Sequence, residues 1–184
     1  MKFTPLQRAL VGAVVTAHGL LWWRAVHWFP ELPERIPTHF DAKGTPDAWT
    51  AKSPLAWYAL PLIDTGMVAL FFGIAWFAVG LSARRPELCN MPKKRLFVQL
   101  SPESRRKAME PTRTFLLGML LLLAGLFGWA IEGSARVAMG QQRTLEPWPV
   151  FVFVGAVLAM LVPYYVATMR RITALAKAEG VPLA

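Results

Sequence analysis

Apolar residues fall into four long stretches: Ala9–Phe29, Leu55–Leu81, Phe115–Ile131 and Trp148–Met169. Polar and charged residues gather in the connections. A helix needs about 20 apolar residues to cross the hydrocarbon of a bilayer, with a usual range of about 17–25. The third stretch is short and is expected to borrow from Thr112–Thr114. Backbone amides in lipid must be paired internally, which leaves helices or closed barrels, and these runs far exceed the roughly 9–11 residues of a barrel strand. The pattern predicts an all-α integral membrane protein, a single domain over 1–184 folded as a four-helix antiparallel bundle. Its spans lie near 9–29, 55–81, 113–131 and 148–169, with a structured outer loop over 30–54 and a basic inner loop over 82–112. No small-x-small cleavage pattern follows the first stretch, where the chain reads Ala25-Val26-His27-Trp28, so it is read as an uncleaved span.

Composition agrees with lipid as the solvent. The chain is 55% apolar and 17% charged, with a mean hydropathy of +0.38, against roughly 45–50% and about 25% in soluble domains. The net charge of +9 sits in the connections and reports topology; no recognition helix or stacking motif accompanies it, so nucleic acid is not an expected partner. With the N-terminus inside, fourteen of the twenty lysines and arginines fall on the inner side, Lys2 and Arg8 among them, and six on the outer side. That asymmetry predicts N-in and C-in. Seven of the eight tryptophans lie near the outer boundary, as an aromatic belt would, and Trp76 alone lies towards the inner one. Arg24, near the outer end of the first span, is expected to snorkel to water. The inner loop is predicted to hold a short helix from Pro102 to about Met109, capped by Ser101. The Arg105-Arg106-Lys107 cluster on it is read mainly as a topology signal, with anionic lipid as the alternative partner. Cys89, the lone cysteine, has no disulfide or zinc-binding companion.

The first outer loop holds the most specific pattern. Residues Ile36-Pro37-Thr38-His39-Phe40 alternate like a short strand, and Asp41-Ala42-Lys43-Gly44 reads as a turn in which Gly44 is free to take a positive φ. Prolines including Pro37 and Pro46 stiffen the connection. Leu32-Pro33, Ile36-Pro37-x-His39-Phe40-Asp41-x-x-Gly44-x-Pro46-Asp47-x-Trp49-x-x-Lys52, followed by a span, resembles the domain of unknown function 1648. The resemblance covers about Leu6 to Leu81. It implies a bacterial inner-membrane protein of an uncharacterised family that includes relatives of SdpI, an immunity factor against a secreted peptide toxin.

His39 and Asp41 are two apart and, on an extended segment, would face the same side. They are expected either to brace the loop backbone or to meet a ligand; His27 and Asp47 are the nearest further metal ligands, and bracing is favoured over a metal site. Lys52 is expected to pair with Asp41 or Asp47. Inside the membrane, His18 lies about eleven residues inward from Phe29 and Asp64 about nine inward from Leu55, depths of roughly 16 and 14 Å at 1.5 Å per residue. Antiparallel neighbours would meet at that level. An ionised aspartate there costs about 2.5–3.5 kcal/mol to insert, so Asp64 is expected to face inward and pair with His18, as a hydrogen-bonded contact or as part of a relay. Gly12, Gly19, Gly66, Gly73, Gly118 and Gly125 are expected to let helices approach closely, and homo-oligomers are compatible with the pattern.

Three functional readings follow in order. The first is a binding, sensing or immunity protein that meets a peptide or protein ligand through the outer loop. The second is a small proton- or ion-coupled transporter using His18 and Asp64. The third is an intramembrane enzyme, which lacks HExxH, GxSxG or P-loop support. Neither catalytic residues nor a metal or cofactor is expected.

Overall fold

A computed structural model describes residues 3–183, so Lys2 lies outside the described residues. Four helices are long and apolar enough to cross a membrane, and the chain is a membrane protein. Helix α1 (Pro5–Trp28) opens with a capping box, in which Thr4 and Gln7 satisfy each other's backbone donors, and has Pro5 in its first turn. Strands β1 (Arg35–Phe40) and β2 (Pro46–Ala51) form an antiparallel hairpin. Helix α2 (Pro54–Arg84) is capped by Ser53. Two short helices follow, α3 (Lys94–Gln99) and α4 (Pro102–Ala108), the latter capped by Ser101. Helices α5 (Glu110–Ala138) and α6 (Trp148–Ala178) complete the chain.

Helix α5 packs against α1, α2 and α6 and forms the axis of the bundle. It runs parallel to α1 and antiparallel to α2. Two polar contacts lock α1 to α5. Near their starts, Gln7 Nε2 donates to Glu110 O and Thr114 Oγ1, each at 3.1 Å. Near their far ends, Arg24 meets Glu132. Helix α6 packs on α5 and, at its far end, on α3 and α4; none of its most apolar stretch is buried, leaving lipid as its solvent.

The ends of the bundle are packed like small soluble cores. At the hairpin end Leu21, Ala25, Leu32, Ile36, Trp57, Ile131 and Ala135 are buried together. At the opposite end Phe97, Leu100, Ala108, Met109 and Ile172 form a second cluster with α3 and α4. There Glu179, just past α6, accepts from Ser101 N at 2.8 Å and from Ser101 Oγ at 2.5 Å. The Ser101 hydroxyl, first among its donors, holds the Glu179 carboxyl below its ordinary range. Cys89 is a half-buried free thiol whose pKa burial pushes up.

The helices differ from the hydropathy spans mainly at their ends. Helix α5 runs on to Ala138, past the expected end of the third span at 131, and takes in Glu132. Gly133, Ser134 and Ala135 are buried there. Polar residues continue a helix when protein, not lipid, covers them, and hydropathy does not see that cover. The expected role of the glycines fails for most of them. A Cβ at Gly12, Gly19, Gly66, Gly73 or Gly125 would meet nothing within 4 Å, and only Gly118 has a close neighbour, Met160. The bundle packs instead through Val14, Leu117, Leu120, Leu123 and Ala124.

Candidate functional site

Two polar constructions deserve a functional reading: the hairpin and a buried centre beneath it. The hairpin pairs Arg35 with Ala51, Ile36 with Thr50, Pro37 with Trp49, His39 with Ala48 and Phe40 with Pro46, with an irregularity on either side of His39. A two-stranded sheet has only edge strands, which is where Pro37 and Pro46 are tolerated. Ile36 and Pro37 are buried, so the strand anchors in the bundle through these neighbours.

The turn is built by Asp41. Its Oδ1 accepts from Lys43 N and Thr45 N, each at 2.8 Å, and its own N–H donates to Thr45 O at 2.9 Å. The Thr45 amide, ahead of the Lys43 amide and ammonium, holds the Asp41 carboxyl below its ordinary value. Gly44 takes φ of +78°, and its carbonyl accepts from Leu145 N at 2.7 Å. A side chain at Gly44 would collide with the Leu145 carbonyl. The turn is thereby stitched to the connection between α5 and α6.

Lys52 does something other than pair with an acid. Its ammonium donates to Leu32 O at 2.8 Å and Pro30 O at 3.2 Å and stands over the Phe29 ring. These carbonyls belong to the single helical turn that follows α1, where helical partners have run out. Lysine therefore ties the start of α2 to the end of α1. His39, expected to brace the backbone or meet a ligand, instead meets Asp47, with Nδ1 and Oδ1 2.6 Å apart. Both side chains are solvent-facing, at 68% and 49% exposure, so the pair adds little to stability. His27 stacks on Trp23 and stays apart from this pair. No cluster of three or more His, Cys, Asp or Glu side chains occurs among the described residues.

The buried centre joins α1 and α2. His18 Nδ1 lies 2.6 Å from Asp64 Oδ2, and Asp64 is 0% exposed. Thr65 Oγ1 donates to Pro61 O at 2.8 Å, a carbonyl that can only accept. Trp22 Nε1 donates to the same hydroxyl at 3.1 Å, and His18 Nε2 lies 3.3 Å from it. Threonine has one proton, already given to Pro61, so the contact from His18 Nε2 must be a donation. That leaves one proton in the short Nδ1–Oδ2 contact. The pair is either imidazolium with carboxylate or the Nε2–H imidazole with carboxylic acid. Both are neutral overall, which is what a lipid-surrounded site requires. Asp64 Oδ1 is buried without a partner.

A third constellation was missed in the sequence. Glu132 Oε2 accepts from Arg24 Nε at 3.0 Å, Arg24 Nη2 at 2.5 Å and Trp28 Nε1 at 2.9 Å, while Oε1 accepts from Arg136. Arg24 also lies over the Trp28 ring, 4.9 Å from its centre. Arg24 thus turns towards α5 instead of snorkelling. The signal was available only in part: Arg24 lies inside the first apolar stretch near its end, whereas Glu132 stands immediately after the third.

Comparison with known proteins bears on the hairpin. The profile of the domain of unknown function DUF1648 matches residues 19–63. An uncharacterized protein of Archaeoglobus fulgidus is 31% identical over 130 residues, covering 68% of each chain. The chain belongs to the DUF1648 family. The DUF1648 match begins one residue after His18 and ends one before Asp64. It therefore spans the hairpin and the helix ends that carry it, and leaves the buried pair just outside. No solved structure matches the chain.

Proposed function

We propose that this DUF1648 protein is a non-enzymatic binding protein whose hairpin meets a peptide or protein ligand on the outer face of a bacterial cytoplasmic membrane, with both termini inside. The observation that carries the reading is a division of labour in the hairpin. Asp41, Gly44, Lys52 and Ile36 hold it rigid, while His39, Asp47 and Trp49 remain exposed on the platform so made. A rigid frame presenting an aromatic and a polar pair lowers the ordering cost of recognition. The basic residue asymmetry supports the orientation. The resemblance to SdpI-type proteins makes a secreted peptide the first ligand class to try.

A photo-crosslinking residue at Thr38, which is exposed beside the pair, tests this in intact cells. The expected result is a discrete protein or peptide adduct that disappears in His39→Ala/Asp47→Ala. Adducts to lipid alone, or an adduct indifferent to the double change, would remove the recognition reading. Lys43→Cys tests the orientation: an impermeant thiol reagent should label it on intact cells and leave Cys89 untouched.

The second reading is proton handling at His18 and Asp64, favoured by their short contact. It ranks lower because a relay needs a next carrier, and Asp64 Oδ1 has none among the described residues. Proton flux into proteoliposomes that vanishes in Asp64→Asn, with the fold retained, would reverse the ranking.

A further inference from the structure

At the end of the bundle away from the hairpin, a cleft of about 460 Å³ opens between α2 and α5. Arg84 from the last turn of α2, Arg106 from α4 and Arg113 from the first turns of α5 line it, and no acidic side chain does. Among the described residues none of the three arginines takes part in an ion pair; Glu110, the acid nearest Arg113 in sequence, is engaged by Arg171 at 2.6 Å. Arg113 is only 8% exposed, and its Nε is buried without a hydrogen-bond partner. A desolvated donor left unmet is costly, and three cations around one cleft repel each other. An anion entering the cleft relieves both.

The rest of the lining indicates what kind of anion. Phe72, Trp76 and Leu117 form an apolar wall. Trp76 precedes Arg84 by eight residues, about 12 Å along the helix at 1.5 Å per residue, and is 85% exposed. The cations therefore stand at the helix ends and the apolar wall runs from them into the hydrocarbon. A soluble phosphate would use only the rim. A volume of this size falls within the range of small-molecule sites.

We propose that this cleft holds an anionic phospholipid, with its headgroup phosphate on Arg84, Arg106 and Arg113, where no acidic side chain would meet the ammonium of a zwitterionic headgroup, and one acyl chain along Phe72, Trp76 and Leu117. Guanidinium forks match phosphate oxygens in pairs, and basic pockets between membrane helices are a recurrent form of lipid recognition. The site is independent of the hairpin and of the ligand assigned to it.

The test uses the full chain in nanodiscs of equimolar phosphatidylglycerol and phosphatidylcholine, with retained lipid read by native mass spectrometry. One phosphatidylglycerol should be held in about tenfold preference. Arg113→Gln should abolish that preference. Because Arg113 is buried and its loss could disturb folding, Arg84→Gln/Arg106→Gln provides a second arm on exposed side chains and should lower retention several-fold with helicity unchanged. Trp76→Ala should weaken retention of the lipid and leave inorganic phosphate without effect. Equal retention of the two lipids, retention unchanged in the double variant, or displacement of the lipid by inorganic phosphate at millimolar concentration would each overturn the proposal.

Discussion

The two ends of the bundle are both closed by small packed caps, yet they treat charge in opposite ways. At the hairpin end nearly every polar group in the frame has an internal partner. Lys52 is held by carbonyls, Asp41 by amides, and Arg24 by Glu132 and Trp28. At the other end Arg84, Arg106 and Arg113 share a cleft that contains no acid. The contrast separates two uses of a charged side chain. Where partners are built in, charge determines shape. Where they are missing, charge waits for something from outside the chain.

The largest expected effect comes from breaking the most committed contact. Glu132→Ala leaves Arg24 partly buried beside lipid without its carboxylate, and should cost on the order of 2–3 kcal/mol. Thermal unfolding in detergent would register this; a midpoint within a degree of wild type would mean that the hairpin end does not depend on internal pairing. Gly44→Ala comes next. Its positive φ and the Leu145 carbonyl both oppose a side chain, for about 1–3 kcal/mol. Faster amide exchange should appear in residues 41–45 and at Leu145, with α2 unaffected.

Lys52→Met keeps the apolar stem but removes the donors to Pro30 and Leu32. About 1 kcal/mol is expected, seen as a modest fall in unfolding midpoint; rescue by Lys52→Arg would support the carbonyl-bridging role. Titration of Asp41 should have a smaller effect still. Its pKa is depressed in the folded chain, so its contribution is complete above the ordinary carboxylate range and is lost as pH falls through its own lower value. The Lys43 and Thr45 amide signals should therefore hold steady from neutral pH down to the usual aspartate pKa and move only below it. Movement at higher pH would break the assignment. At the opposite end, Arg106→Gln should change stability by no more than about 0.5 kcal/mol, because nothing inside the chain depends on it. A large loss there would erase the contrast between the ends.

Particular residues show how far the chain could be read in one dimension. Depth counting brought His18 and Asp64 to the same level, and they lie in contact. It worked because rise per residue is constant and both helices flank the same connection, α1 ending at it and α2 starting from it. Ser101 was legible as a cap because capping is local. The partner of His39 was not: i and i+2 spacing put His39 and Asp41 on one side, to brace the backbone or meet a ligand, but Asp41 alone braces the turn and pairing across the strands brings Asp47 to His39. Lys52 was misassigned for a related reason, since sequence suggests opposite charges and says nothing about carbonyls left over at a helix end. Glu132 was hidden because hydropathy places a helix end where polarity begins, whereas this helix continues under protein cover.

By itself the sequence determined the solvent and the coarse order: four apolar lengths matched to a bilayer, punctuated by prolines, caps and a hairpin turn. These follow from local periodicity and from the requirement that backbone amides be paired in lipid. Only the tertiary structure decided which helix is central, which charges cancel and which remain open. Those outcomes depend on distances between residues far apart in the chain, and composition carries no record of them.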